Sequence, residues 1–148
     1  MSYSYFEVKV QYTRQIGEDN PKLVKESYMT DHATFGAAEK VVLDHVKPFA
    51  SDLPETISMK KLKVYDIFQL EDGKDHIYCA KVKYITIEDS GAEHSVVNRV
   101  YIGANTLTEA KELIQKEING LDADLVGIEE TKMVKYVNPA PNGQESAD

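Results

Sequence analysis

The chain repeats part of itself, and that restricts its fold more than any local propensity does, because each copy must encode the same structural unit. Lys9-Val10-Gln11-Tyr12 returns 72 residues later as Lys81-Val82-Lys83-Tyr84, and Thr34-Phe35-Gly36-Ala37-Ala38 as Thr106-Leu107-Thr108-Glu109-Ala110. Between them runs an apolar stripe, Phe35, Ala38, Val42, Val46 and Phe49, matched by Leu107, Ala110, Ile114, Ile118 and Leu121. Its spacings of 3, 4, 4 and 3 are those of one buried helix face. Toward the ends of the copies the offset reads as 71, with Ile57 over Ile128, Lys61 over Lys132 and Tyr65 over Tyr136.

Each copy spells strand, strand, helix, strand. Phe6, Val8, Val10 and Tyr12 alternate with Tyr5, Glu7, Lys9 and Gln11, the period of a strand with one buried face. Gly17-Glu18-Asp19-Asn20-Pro21 and Asp89-Ser90-Gly91 are turn sequences leading to second strands near Leu23 to Thr30 and Val96 to Ile102. Thr34 and Thr106 start the helices, Thr106 with Glu109 in a capping box; Pro48 and Asn119-Gly120 end them. Third strands follow near Thr56 to Leu70 and Leu125 to Val137.

A right-handed crossover puts each third strand beyond the first, in local order 2-1-3. The expected fold is therefore α+β: an internally duplicated β-β-α-β unit, its copies about residues 5–70 and 76–137, joined through their third strands. That makes one six-stranded mixed sheet with two helices on one face and a pseudo-two-fold axis. Two sheets packed face to face are the alternative. Residues 1–137 are expected to form a single pseudo-symmetric domain, because a lone copy is a marginal core. Asn138 to Asp148, without apolar periodicity, are expected to be a disordered tail.

The residues that carry the repeat also resemble a known family. Tyr5 to Tyr12, Thr34 to Glu39, Ile77 to Val82 and Thr131 to Val137 together are similar to an uncharacterised domain-of-unknown-function family of Bacteroides-type bacteria, their phages and mobile elements. The resemblance covers about residues 4–137. It implies a phage or mobile-element setting and no known activity, and it carries no functional residue across.

Composition narrows the function classes. Seventeen basic against 25 acidic residues give a net charge of −8, which disfavours duplex DNA binding through a uniformly basic surface. No run of about 18 apolar residues offers a membrane span. The opening residues enter an alternating strand pattern where a signal peptide would need a basic start and an apolar core, so a cytoplasmic location is expected. The single cysteine, Cys79, excludes an internal disulfide and a cysteine-ligated zinc site.

Catalytic chemistry finds no motif. His32, His45, His76 and His94 have no metal-ligand spacing and read as exposed histidines; Asp72-Gly73-Lys74-Asp75-His76 reads as a polar turn. Phosphate-cradling glycine loops and nucleophile elbows are missing, and Cys79 reads as a small strand side chain. No enzyme activity, cofactor or metal is expected.

One distribution stands out. Of fifteen lysines, eight lie in expected strands, where lysine is normally depleted. Strand parity puts Tyr5 and Lys9, and equivalently Lys81 and Lys83, on the face away from the helices, and Lys61, Lys63 and Tyr65 share one face of the third strand that could join them. These seven are the candidate nucleic-acid-binding residues, since ammonium groups follow phosphates and phenol rings stack bases in single strands. The plainer reading is a solvated sheet face whose lysines oppose edge-to-edge aggregation. The expected function is a non-catalytic binding protein with single-stranded nucleic acid as ligand. The alternative is a protein-interaction or ligand-sequestering factor, such as an inhibitor of a host defence system acting on a host protein.

Overall fold

Alternation decides the first strand. In β1 (Ser4–Arg14), Phe6, Val8, Val10 and Tyr12 are buried while their neighbours are partly exposed. The computed structural model describes residues 4–14, 20–70 and 74–137. The chain divides into two units, one running to Leu62 and resuming at Lys132, the other from Lys63 to Thr131.

In the first unit, β1 pairs antiparallel with β2 (Lys22–His32) and with β3 (Glu55–Leu62). Helix α1 (Phe35–Val46) starts where Thr34 Oγ1 accepts the Ala37 N–H at 3.1 Å, and a 3₁₀ turn at Lys47–Phe49 containing Pro48 follows it. Ala38, Val42 and Val46 pack on Phe6, Val8, Val10, Tyr12 and Tyr28. The stripe's outer members, Phe35 and Phe49, are about half exposed, so three of its five positions form core.

The second unit has the same order: β5 (His76–Ile87), β6 (Glu93–Ala104), α2 (Leu107–Ile118) and β7 (Ala123–Glu130). Thr106 Oγ1 accepts the Glu109 N–H at 3.1 Å, and the Glu109 carboxylate accepts the Asn105 N–H at 2.7 Å, one residue before the cap. Ala110, Ile114 and Ile118 pack on Tyr78, Ala80, Val82, Val100 and Ile102. Here too the stripe's ends, Leu107 and Leu121, are exposed.

The expected six-stranded sheet does not form. There are two four-stranded sheets, of order β3-β1-β2-β8 and β4-β6-β5-β7. Each expected third strand is in fact two strands belonging to different sheets. After β3, the Tyr65 N–H donates to the Arg99 carbonyl at 2.8 Å, and β4 (Asp66–Phe68) pairs parallel with β6 at Val100–Ile102. After β7, the Thr131 N–H and hydroxyl both reach the Ile77 carbonyl at 2.9 Å, and β8 (Met133–Val137) pairs parallel with β2. A short parallel strand thus completes each sheet beside its second strand, and joining through β3 and β7 is not used. The 2-1-3 order holds within each sheet, as β3-β1-β2 and β7-β5-β6.

The register also corrects the 71-residue matches. Met59 lies opposite Val8 and Ile128 opposite Ala80, so Met59, rather than Ile57, holds the place that Ile128 holds in the other sheet. The longer connection through the Pro48 turn absorbs the difference. Asn138 to Asp148, expected to be a tail, and most of the Gly17 to Pro21 turn lie outside the described residues. No helix among the described residues is long and apolar enough to cross a membrane.

Candidate nucleic-acid interface

The β5–β6 hairpin sets the site. Its turn is closed by Glu88 N–H to Ala92 O at 2.9 Å and Gly91 N–H to Glu88 O at 2.8 Å, with Gly91 at φ 88°, a conformation glycine adopts without strain. Folding about Ser90 brings Lys81 directly opposite Arg99. Directly opposed residues have Cβ atoms about 5 Å apart, and like charges so placed repel. The Tyr65 N–H bond to Arg99 O holds the segment Lys63-Val64-Tyr65 against the same stretch of β6.

These segments border an open cavity of about 530 Å³ lined by Lys63, Val64, Tyr65, Lys81, Val97, Asn98 and Arg99, all in the second unit. Three cations share it. Among the described residues none of the three forms an ion pair, although Lys40, Lys60, Lys74 and Arg14 elsewhere do. The Asp66 carboxylate next in sequence accepts the Ile67 N–H at 2.8 Å. Tyr65 packs on Tyr84 with ring centroids 5.0 Å apart and remains 56% exposed; Tyr84 shares the helix-facing side of β5 with Val82, so the Tyr65 ring lies on that side and not on the Lys81 face. Burial, with the neighbouring Tyr65 and Asp66, pushes the Tyr84 hydroxyl up from its ordinary pKa and keeps it neutral.

The other neighbour of Lys81 is equally informative. On β7 its partner is Gly127, and a Cβ there would come no closer than 4.0 Å to Lys81 Cδ. The positions on either side are acidic: Asp124 lies opposite Lys83, and Glu129 opposite Cys79. Carboxylates therefore flank the cluster along β7 while the strand leaves Lys81 itself without one.

Of the seven expected residues, Lys63, Tyr65 and Lys81 come together here. Lys83 is two positions along β5 on the Lys81 face. Tyr5, Lys9 and Lys61 belong to the other unit and another sheet, so the seven do not share one sheet face. Lys61 lies opposite the buried Phe6, which puts it on the helix side of β3, and Lys60 takes the place expected for it. Around Lys9 that sheet is mixed in charge: Glu7 pairs with Lys60 at 3.5 Å and Gln11 bonds Glu55 at 3.2 Å. Arg99 and Asn98 were missed; reading the hairpin outward from Ser90 would have placed Arg99 against Lys81.

Elsewhere the titratable groups are structural. Glu26 accepts hydrogen bonds from the hydroxyls of Tyr12 and Tyr28, both at 2.7 Å, and pairs with Arg14 at 3.4 Å. His45 packs edge-on to Tyr28, and His76 pairs with Glu130 at 2.8 Å; of the four histidines only His94 is exposed. Burial pushes the Cys79 thiol up, against the pull of Arg99 and Lys81, so it is held as a thiol. Among the described residues no group of three or more His, Cys, Asp or Glu side chains is placed to hold a metal ion.

The family model for a domain of unknown function, DUF4494, matches residues 4–139. The chain belongs to this family. The match takes in both units of this DUF4494 member, including all the residues lining the cationic cavity. No curated protein matches the sequence.

Proposed function

We propose that this DUF4494 member is a non-catalytic binding protein that takes single-stranded nucleic acid at the pocket of Lys63, Tyr65, Lys81 and Arg99. One observation carries the reading: three cations from three chain segments line one cavity, in a protein of net charge −8, without ion-pair partners among the described residues. Holding Lys81 opposite Arg99 is unfavourable unless an anion is bound between them. A mobile-element or phage setting rests on the sequence resemblance alone. The common strand-strand-helix-strand order of the two units supports a duplicated origin, in which one copy carries the basic pocket and the other has charge-balanced strands.

Fluorescence anisotropy with a labelled single-stranded oligonucleotide, titrated at several salt concentrations, tests the proposal. Affinity should fall as salt rises, with a log-log slope of about −0.7 for each phosphate neutralised. Absence of binding at low salt with any base composition would remove nucleic acid from consideration.

A further inference from the structure

Resting on that reading, we infer that the cavity recognises a phosphate monoester at a nucleotide or strand end. A strand running through would need a cationic track continuing in both directions. The strand beside Lys81 provides the opposite. Asp124 and Glu129 bracket Gly127, so a phosphodiester chain continuing along β7 in either direction meets carboxylates. Along β5 the next cation on the Lys81 face, Lys83, has Asp124 opposite it, so cations without an opposing carboxylate gather where Lys81, Arg99 and Lys63 line a cavity of about 530 Å³. An internal phosphodiester brings one negative charge to three cations. A monoester brings roughly −1.5 to −2 at neutral pH and three acceptor oxygens, which suits the planar fork of Arg99 and two ammonium groups.

Gly127 supplies a test that leaves every proposed ligand-binding side chain in place. A Cβ there meets nothing closer than Lys81 Cδ at 4.0 Å, so Gly127→Glu fits and sets a carboxylate beside Lys81. The experiment compares one 3′-labelled oligonucleotide with a 5′-phosphate and with a 5′-hydroxyl, the same sequence 5′-labelled with a 3′-phosphate, and adenosine monophosphate and inorganic phosphate as competitors. We expect one phosphorylated end to bind at least tenfold tighter than the hydroxyl form. Gly127→Glu should bring that ratio close to one at an unchanged melting temperature; Lys81→Gln should do the same if the glutamate variant misfolds. Equal affinity for phosphorylated and hydroxyl ends overturns the inference and leaves the single-strand reading standing. Binding of the mononucleotide without any oligonucleotide binding supports the monoester site and overturns the single-strand reading. If neither oligonucleotides nor mononucleotide bind, both fall.

Discussion

Gly103 on β6 lies under the backbone of Gln69: a Cβ at Gly103 would sit 2.4 Å from the Gln69 carbonyl oxygen and 3.3 Å from Leu70 Cα. Gln69 itself has φ 55°, the left-handed region that a residue with a side chain seldom adopts. The chain leaving β4 is therefore pressed onto β6 at a place only glycine permits. Gly103→Ala should destabilise the protein by about 1 to 3 kcal/mol, since the clashing atom is backbone and cannot rotate away. Chemical denaturation of the variant checks this, and an unchanged midpoint would mean that the Gln69 turn gives way freely.

Each helix carries its own core, so each is separately testable. Val42 and Ile114 are fully buried at the centres of the two helix stripes. Truncation of either to alanine should cost about 2 kcal/mol through lost burial and the cavity left behind. Thermal melts of both variants should show comparable losses. A large effect at one site and none at the other would contradict the equal standing of the two cores.

His45 should make stability pH-dependent. Burial holds its pKa below the ordinary value, reinforced by Lys135 and opposed by Glu26. As pH falls through about 6.5, the unfolded chain gains a proton at this histidine that the folded chain does not, so stability declines. The decline levels off below the folded-state pKa. Denaturation curves from pH 8 to pH 5 should show a smaller loss for His45→Gln than for the wild type. Parallel curves would place the titration elsewhere.

The sequence showed the helices well because their signals are local. A threonine cap and an apolar stripe at spacings of 3 and 4 require no knowledge of the rest of the chain, and Thr34 and Thr106 cap as expected. The break after Leu62 was hidden because β4 keeps strand-like composition, and its partner β6 lies some thirty residues farther along. Nothing local to Asp66-Ile67-Phe68 states which sheet it will join. The error propagated to the site: parity counted through an unbroken strand put Lys61 with Lys63 and Tyr65, whereas the chain leaves the sheet between them. Lys63, Tyr65 and Lys81 were legible as residues of an unusual type for their positions. Their meeting with Arg99 depends on hairpin register, which the turn at Asp89-Ser90-Gly91 encodes.

The central claim is that Lys81 and Arg99 form an anion site for single-stranded nucleic acid, and matched charge reversals test it most directly. Lys81→Glu with Arg99→Glu alters the cavity, whereas Lys9→Glu with Lys25→Glu makes the same change in net charge on the sheet of the first unit. Oligonucleotide affinity measured at one low salt concentration should be lost in the first pair and fall only slightly in the second. Equal losses in both pairs would show that net charge alone governs binding, and full retention by the Lys81 and Arg99 pair would contradict the site.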